Sequence, residues 1–124
     1  MNLNQVTVPS ENVERSTEFY EKLGLKLIVK AFPHYCRFEC PDGISTFSIH
    51  LVEQLPIGEG VHVYFECENL DEKVAELINQ GVEFTLLPTD QTWLWREARL
   101  NDPDGNSLIL YFAGENRKNP PWRI

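Results

Sequence analysis

Three landmarks recur along this chain at a constant offset of 57 residues, and such a duplication narrows the fold more than any other feature. Gln5 corresponds to His62, each in a short alternating segment. Asn12 corresponds to Asn69, each placed to cap a helix through its side-chain oxygen. Gly24 corresponds to Gly81, each just past that helix, where a left-handed residue ends it. Asp-Gly at 42–43 and again at 104–105 marks a hairpin turn in both halves. Between cap and glycine, Val13, Phe19, Tyr20 and Leu23 form an apolar stripe at helical spacing. Leu70, Val74, Leu77 and Ile78 repeat it. The spacing predicts helices near 13–23 and 70–80. It predicts strands near 4–9, 25–30, 35–40 and 46–52, then near 61–67, 82–87, 93–100 and 107–112. The reading is α+β: two tandem βαβββ modules over 1–53 and 61–113, a Pro- and Gly-containing linker over 54–60, and a polar tail over 114–124.

A chain of 124 residues suits one domain with one core. No apolar run is long enough to span a bilayer. The first residues lack the basic and apolar regions of a secretory signal, so a cytoplasmic location is expected. The formal charge of −8 disfavours nucleic acid and anionic lipid as partners. Cys36, Cys40 and Cys67 have neither an even count nor CxxC spacing, and read as reduced, small apolar groups.

Strand parity sorts the remaining side chains. Val6, Val8, Cys36, Phe38, Phe47, Ile49, Val63, Phe65, Leu108 and Leu110 fall on the face that the helices must cover. The opposite face collects Gln5, Tyr35, Arg37, Glu39, His50, His62, Trp93, Trp95, Glu97, Arg99, Ile109 and Tyr111. An antiparallel sheet often leaves one face wet. Two His, a Gln and two Trp fit that ordinary explanation less well, because an exposed Trp needs a cover.

The segments Gln5-Val6-Thr7-Val8, Asn12-Val13-Glu14-Arg15-Ser16, Phe19-Tyr20, Leu23-Gly24-Leu25, Val61-His62-Val63 and Asn101-Asp102-Pro103-Asp104-Gly105-Asn106 occur here in a particular order and spacing. In that order the chain resembles the vicinal oxygen chelate superfamily of glyoxalase I, bleomycin-resistance proteins and extradiol dioxygenases. The resemblance implies two modules curved around a shared cleft, a small-molecule ligand and often a homodimer. It also implies a divalent metal ion (Zn, Ni, Fe or Mn) on the first and last strands of each module. Carried over by position, the ligands are Gln5, His50 and His62. The fourth position, a carboxylate in glyoxalase I and the dioxygenases, is Ile109 here. His34 matches no ligand position and reads as surface.

Two readings follow. In the first, a metal-dependent enzyme chelates a small oxygen-bearing substrate, the ion acts as Lewis acid, and Glu97 or Glu39 carries the proton. Tyr35, Arg37, Trp93, Trp95, Arg99 and Tyr111 line the substrate. In the second, a metal-free protein of the bleomycin-resistance type binds a planar or cationic compound on Trp93, Trp95 and Tyr111. Packing under the tail is the competing explanation for the tryptophans.

Overall fold

The computed structural model describes residues 1–124. Each half forms a four-stranded mixed sheet with one helix, which is the α+β, tandem βαβββ arrangement expected from the duplication. The first half comprises β1 (Gln5–Ser10), α1 (Val13–Lys22), β2 (Lys26–Ala31), β3 (Tyr35–Glu39) and β4 (Thr46–Leu51), with sheet order β1-β4-β3-β2. The second comprises β5 (His62–Glu66), α2 (Leu70–Asn79), β6 (Leu86–Asp90), β7 (Arg96–Asn101) and β8 (Ser107–Phe112), with order β5-β8-β7-β6. A short 3-10 turn spans Gly114–Arg117. Two compact units result, Met1–Gly60 with Asp102–Asn106, and Val61–Asn101 with Ser107–Ile124.

α1 starts where the sequence requires it. The Asn12 side chain accepts the Arg15 N–H at 3.1 Å, satisfying a donor that the first helical turn leaves free. Asn69 departs from its counterpart, since its side chain makes no capping bond at the start of α2. Gly24 (φ 101°) and Gly81 (φ 88°) take the left-handed conformation just past the helices, where a side chain would add strain. The apolar stripe of α1 packs Val13 and Tyr20 on Cys36, Phe38, Phe47 and Ile49, all at most 1% exposed. Tyr20, Phe38 and Phe47 form a ring cluster, with Tyr20 to Phe47 at 4.6 Å between centroids. On α2, Leu70, Val74 and Leu77 are buried as expected. Ile78 is not.

Two strands of the second unit differ from expectation. β6 begins at Leu86 rather than near 82, and β7 at Arg96 rather than 93. Gln91 to Trp95 close a hairpin through Gln91 N–H to Trp95 O (2.7 Å) and Leu94 N–H to Gln91 O (3.0 Å). Leu94 takes the left-handed position (φ 66°) that such loops usually give to glycine, so composition concealed the turn.

The Asp102–Asn106 turn, which joins β7 to β8 in sequence, belongs to the first unit. Asp102 is buried and accepts four bonds: Tyr20 OH at 2.6 Å, Asp104 N–H and Asn106 N–H at 2.9 Å each, and Asn106 Nδ2 at 2.8 Å. Burial, then the Asp102 charge, push the Tyr20 hydroxyl far above its usual range, so it stays a donor. Asp104 accepts from Arg15 Nη2 at 2.6 Å, Ser16 Oγ at 2.5 Å and Glu11 N–H at 2.9 Å, with its side chain 1% exposed. Burial alone would raise the Asp104 carboxyl. The Ser10 and Ser16 hydroxyls, the Glu11 N–H and Arg15 outweigh it and hold the carboxyl below the ordinary carboxylate range.

A depressed carboxyl stabilises the fold above its unfolded value, about pH 3.9, and the contribution disappears as pH falls through the lower folded value. Unfolding free energy should therefore fall on acidification below about pH 4. Asp104→Asn should cost about 1–3 kcal/mol at pH 7 and flatten that acid limb, as read by urea denaturation across pH.

Candidate functional site

In the first unit the face away from α1 is polar, and its side chains bond one another. The register sets Gln5 beside Thr46, Thr7 beside Ser48 and Pro9 beside His50. It continues across β4 to Glu39, Arg37 and Tyr35 respectively. Ser48 is fully buried there. Its Oγ accepts from Gln5 Nε2 at 2.7 Å and bonds Tyr35 OH at 2.7 Å. Arg37 Nε donates to Tyr35 OH at 2.9 Å, and Thr46 Oγ1 donates to Gln5 Oε1. Glu39 is half-exposed and faces Lys26 at 3.4 Å across the strand pair. Nothing in the sequence singled out Ser48. Only strand register makes it the centre of this network.

The same parity places Gln5 and His50 on one face, yet the register separates them. His50 lies four residues beyond Thr46, the partner of Gln5. Four residues of parallel strand span about 13 Å. Gln5 and His50 therefore share a face without being cross-strand neighbours. Alternation reports the side of a strand and not the distance along it.

In the second unit the corresponding face is aromatic. Trp95 stacks on Tyr111, with centroids at 4.8 Å and planes at 26°. Tyr64 stands edge-on to both, at 5.8 and 5.4 Å, each at 88°. Ile109, Tyr111 and Ala113 form a small buried cluster on which Trp95 packs. The Trp95 indole N–H points at Asn116 O in the Gly114–Arg117 turn, at 3.5 Å. Burial, and then Glu66, raise the Tyr111 hydroxyl above its usual value. Glu66 itself accepts the Ala113 and Gly114 N–H groups at 2.9 and 3.1 Å.

Glu97 is fully buried, and both its oxygens are engaged. Oε1 accepts the Trp93 indole N–H at 3.0 Å, and Oε2 accepts Arg99 Nη2 at 2.9 Å and Nε at 3.3 Å. The carboxylate fastens a tryptophan and an arginine to the sheet. His62 is exposed, and its Nδ1 is bonded to Ser107 Oγ at 2.8 Å, which leaves Nε2 free. A shallow apolar depression of about 250 Å³ lies elsewhere on this unit, lined by α2 and β6 residues including Val74, Ile78 and Leu87, and it takes in none of the candidate residues.

The chain belongs to the Glyoxalase/Bleomycin resistance protein/Dioxygenase superfamily, whose family model matches residues 2–110. It is 27% identical over 126 residues to a trivalent organoarsenical cleaving enzyme of Bacillus sp. (strain MD1), covering 89% of this chain and 74% of that protein. A glyoxalase/bleomycin resistance protein/dioxygenase from Nocardioides superposes with a TM-score of 0.80 at 21% identity, over 100% of this chain and 89% of its own. A bleomycin-binding protein complexed with bleomycin gives 0.75 at 20% identity, over 90% of this chain and 98% of its own. At such identities the structural likenesses establish the fold.

The donor set does not fit the divalent ion that the resemblance implies. No three His, Cys, Asp or Glu side chains gather around a point that one ion could occupy. Gln5 spends its carboxamide on Thr46 and Ser48. Ile109, where the resemblance implies a carboxylate, leaves no gap for a ligand. Ile109 is 1% exposed there and packs with Tyr111 and Ala113. Ile109→Glu should therefore bury an unpaired charge and lower stability by about 3 kcal/mol or more in thermal or urea unfolding. A variant that folds as well as the parent and gains a titratable metal would overturn this description.

Proposed function

We propose that this protein binds a planar, cationic small molecule on the aromatic face of its second unit, without a metal ion. The observation that carries the reading is Ile109. An apolar side chain is packed at the position where the resemblance implies a carboxylate, and the residues around it are ring faces and not ligands. Tyr64, 44% exposed, and the open part of Trp95 offer stacking surface with Tyr111 as backing. Aromatic faces attract cations, and a net charge of −8 raises their local concentration. The bleomycin-binding relative carries a ligand of its own on the same fold.

The curated relative's name points to a trivalent organoarsenical. Soft centres of that kind favour thiolates. In this chain burial pushes the Cys36 and Cys40 thiols up, away from the thiolate form, and Cys36 lies under α1 bonded to Thr17. The metal-dependent enzyme draws on one specific observation, the free Nε2 of His62, whose ring is oriented by the Ser107 hydroxyl at Nδ1 as metal-binding imidazoles are oriented by a hydrogen bond at the other nitrogen.

Titration with a planar cationic dye such as ethidium, followed by tryptophan fluorescence, tests the reading. Saturable quenching that is indifferent to EDTA and at least tenfold weaker in Trp95→Ala is expected. Absence of quenching, or a requirement for added Zn, Ni, Fe or Mn, would overturn it in favour of the metal-dependent enzyme.

A further inference from the structure

Arg37 is an arginine in an acidic protein with no acid beside it. Of the six arginines, Arg15, Arg96, Arg99 and Arg117 each lie within 4.0 Å of a carboxylate, whereas Arg37 and Arg123 form no ion pair, Arg123 bonding Asn119 in the tail instead. The acid closest to it along β3 on the same face, Glu39, pairs with Lys26 instead. A loose surface arginine would be unremarkable. This one is held. Its Nε donates to Tyr35 OH at 2.9 Å, and its guanidinium lies over the Tyr35 ring, 5.6 Å from the centroid. Tyr35 is fixed in turn by the buried Ser48 hydroxyl at 2.7 Å, and Ser48 by Gln5 at 2.7 Å.

The one hydrogen bond the guanidinium makes in that chain uses Nε. The outer edge, Nη1 and Nη2, keeps its N–H groups unspent, and it is this fork that matches the two oxygens of a carboxylate. The register adds one more group. His50 on β4 pairs with Tyr35 on β3, which makes it a diagonal neighbour of Arg37 within reach of a shared ligand. Its imidazole is exposed and makes no hydrogen bond. A cation whose position is fixed beforehand and whose counter-charge is missing has already met most of the ordering cost of binding an anion.

We infer that Arg37, braced by Tyr35, Ser48 and Gln5 and flanked by His50, is a binding site on the first unit for the carboxylate of a small molecule. This assigns His50 to an anion and not to a metal. The inference stands apart from the aromatic site, because every residue in it belongs to the first unit and none contributes to dye stacking.

The test is a titration of the full-length ¹⁵N-labelled protein with sodium benzoate at constant ionic strength, following the Arg37 Nε–H resonance in the parent and the backbone amide resonances of positions 35, 37 and 50 in the parent and every variant. Benzyl alcohol and inorganic phosphate serve as comparison probes. Saturable shifts at Arg37 are expected for benzoate and absent for benzyl alcohol. Arg37→Gln should abolish them. Arg37→Lys, which keeps the charge and loses the fork, should weaken binding at least tenfold, and Tyr35→Phe and His50→Gln should each weaken it several-fold with melting temperature nearly unchanged. Shifts that grow linearly without saturation, that persist in Arg37→Gln, or that are tighter for phosphate than for benzoate would each overturn the carboxylate site. Ethidium quenching in Arg37→Gln should match the parent protein, so failure here and failure of the aromatic-site reading register separately.

Discussion

Two buried carboxylates in one five-residue turn set the terms for the first unit. Asp102 and Asp104 are removed from water, and a buried carboxylate is tolerated only when its lone pairs are filled. They are filled by Tyr20, by Ser16 and Arg15 of α1, by the Glu11 N–H before it, and by the turn's own amides. The helix that covers the Phe38 and Phe47 core is thereby bonded at its first turn and along its buried stripe. Removing either carboxylate would leave several donors unpaired together, which is why this turn carries more of the fold than its length suggests.

With the scaffold held that way, the two modules spend the same strand order on different chemistry. In the first, the face away from the helix is a closed hydrogen-bonded relay from Thr46 through Gln5, Ser48 and Tyr35 to Arg37. In the second, the equivalent face is covered by rings and by the Gly114–Arg117 turn, and β8 is buried on both sides over most of its length. A duplicated backbone thus presents one polar and one aromatic surface. Membership of the superfamily specifies the backbone, whereas the residues on these faces specify what is recognised.

Much of this was legible in the chain. Periods of 3.6 and 2 located both helices and sorted the buried from the open faces, and Asn12, Gly24 and Gly81 marked helix ends through backbone requirements that are strictly local. What escaped that reading was settled by neighbours. Leu94 in a left-handed turn hid the start of β7, since glycine is the expected signal there. Asn69 has the right identity for a cap and makes no capping bond. Glu97, which parity alone makes a candidate proton carrier, is engaged by Trp93 and Arg99.

The sequence by itself determined the duplication, the order of elements and the face on which each side chain lies, because these follow from bond geometry within a few residues of each position. Register was decided only by tertiary structure, and with it the separation of Gln5 from His50, the central place of Ser48 and the burial of Ile109. Pairing between strands distant in the chain depends on packing summed over a whole sheet, and no local pattern encodes how far along a neighbouring strand a given side chain will stand.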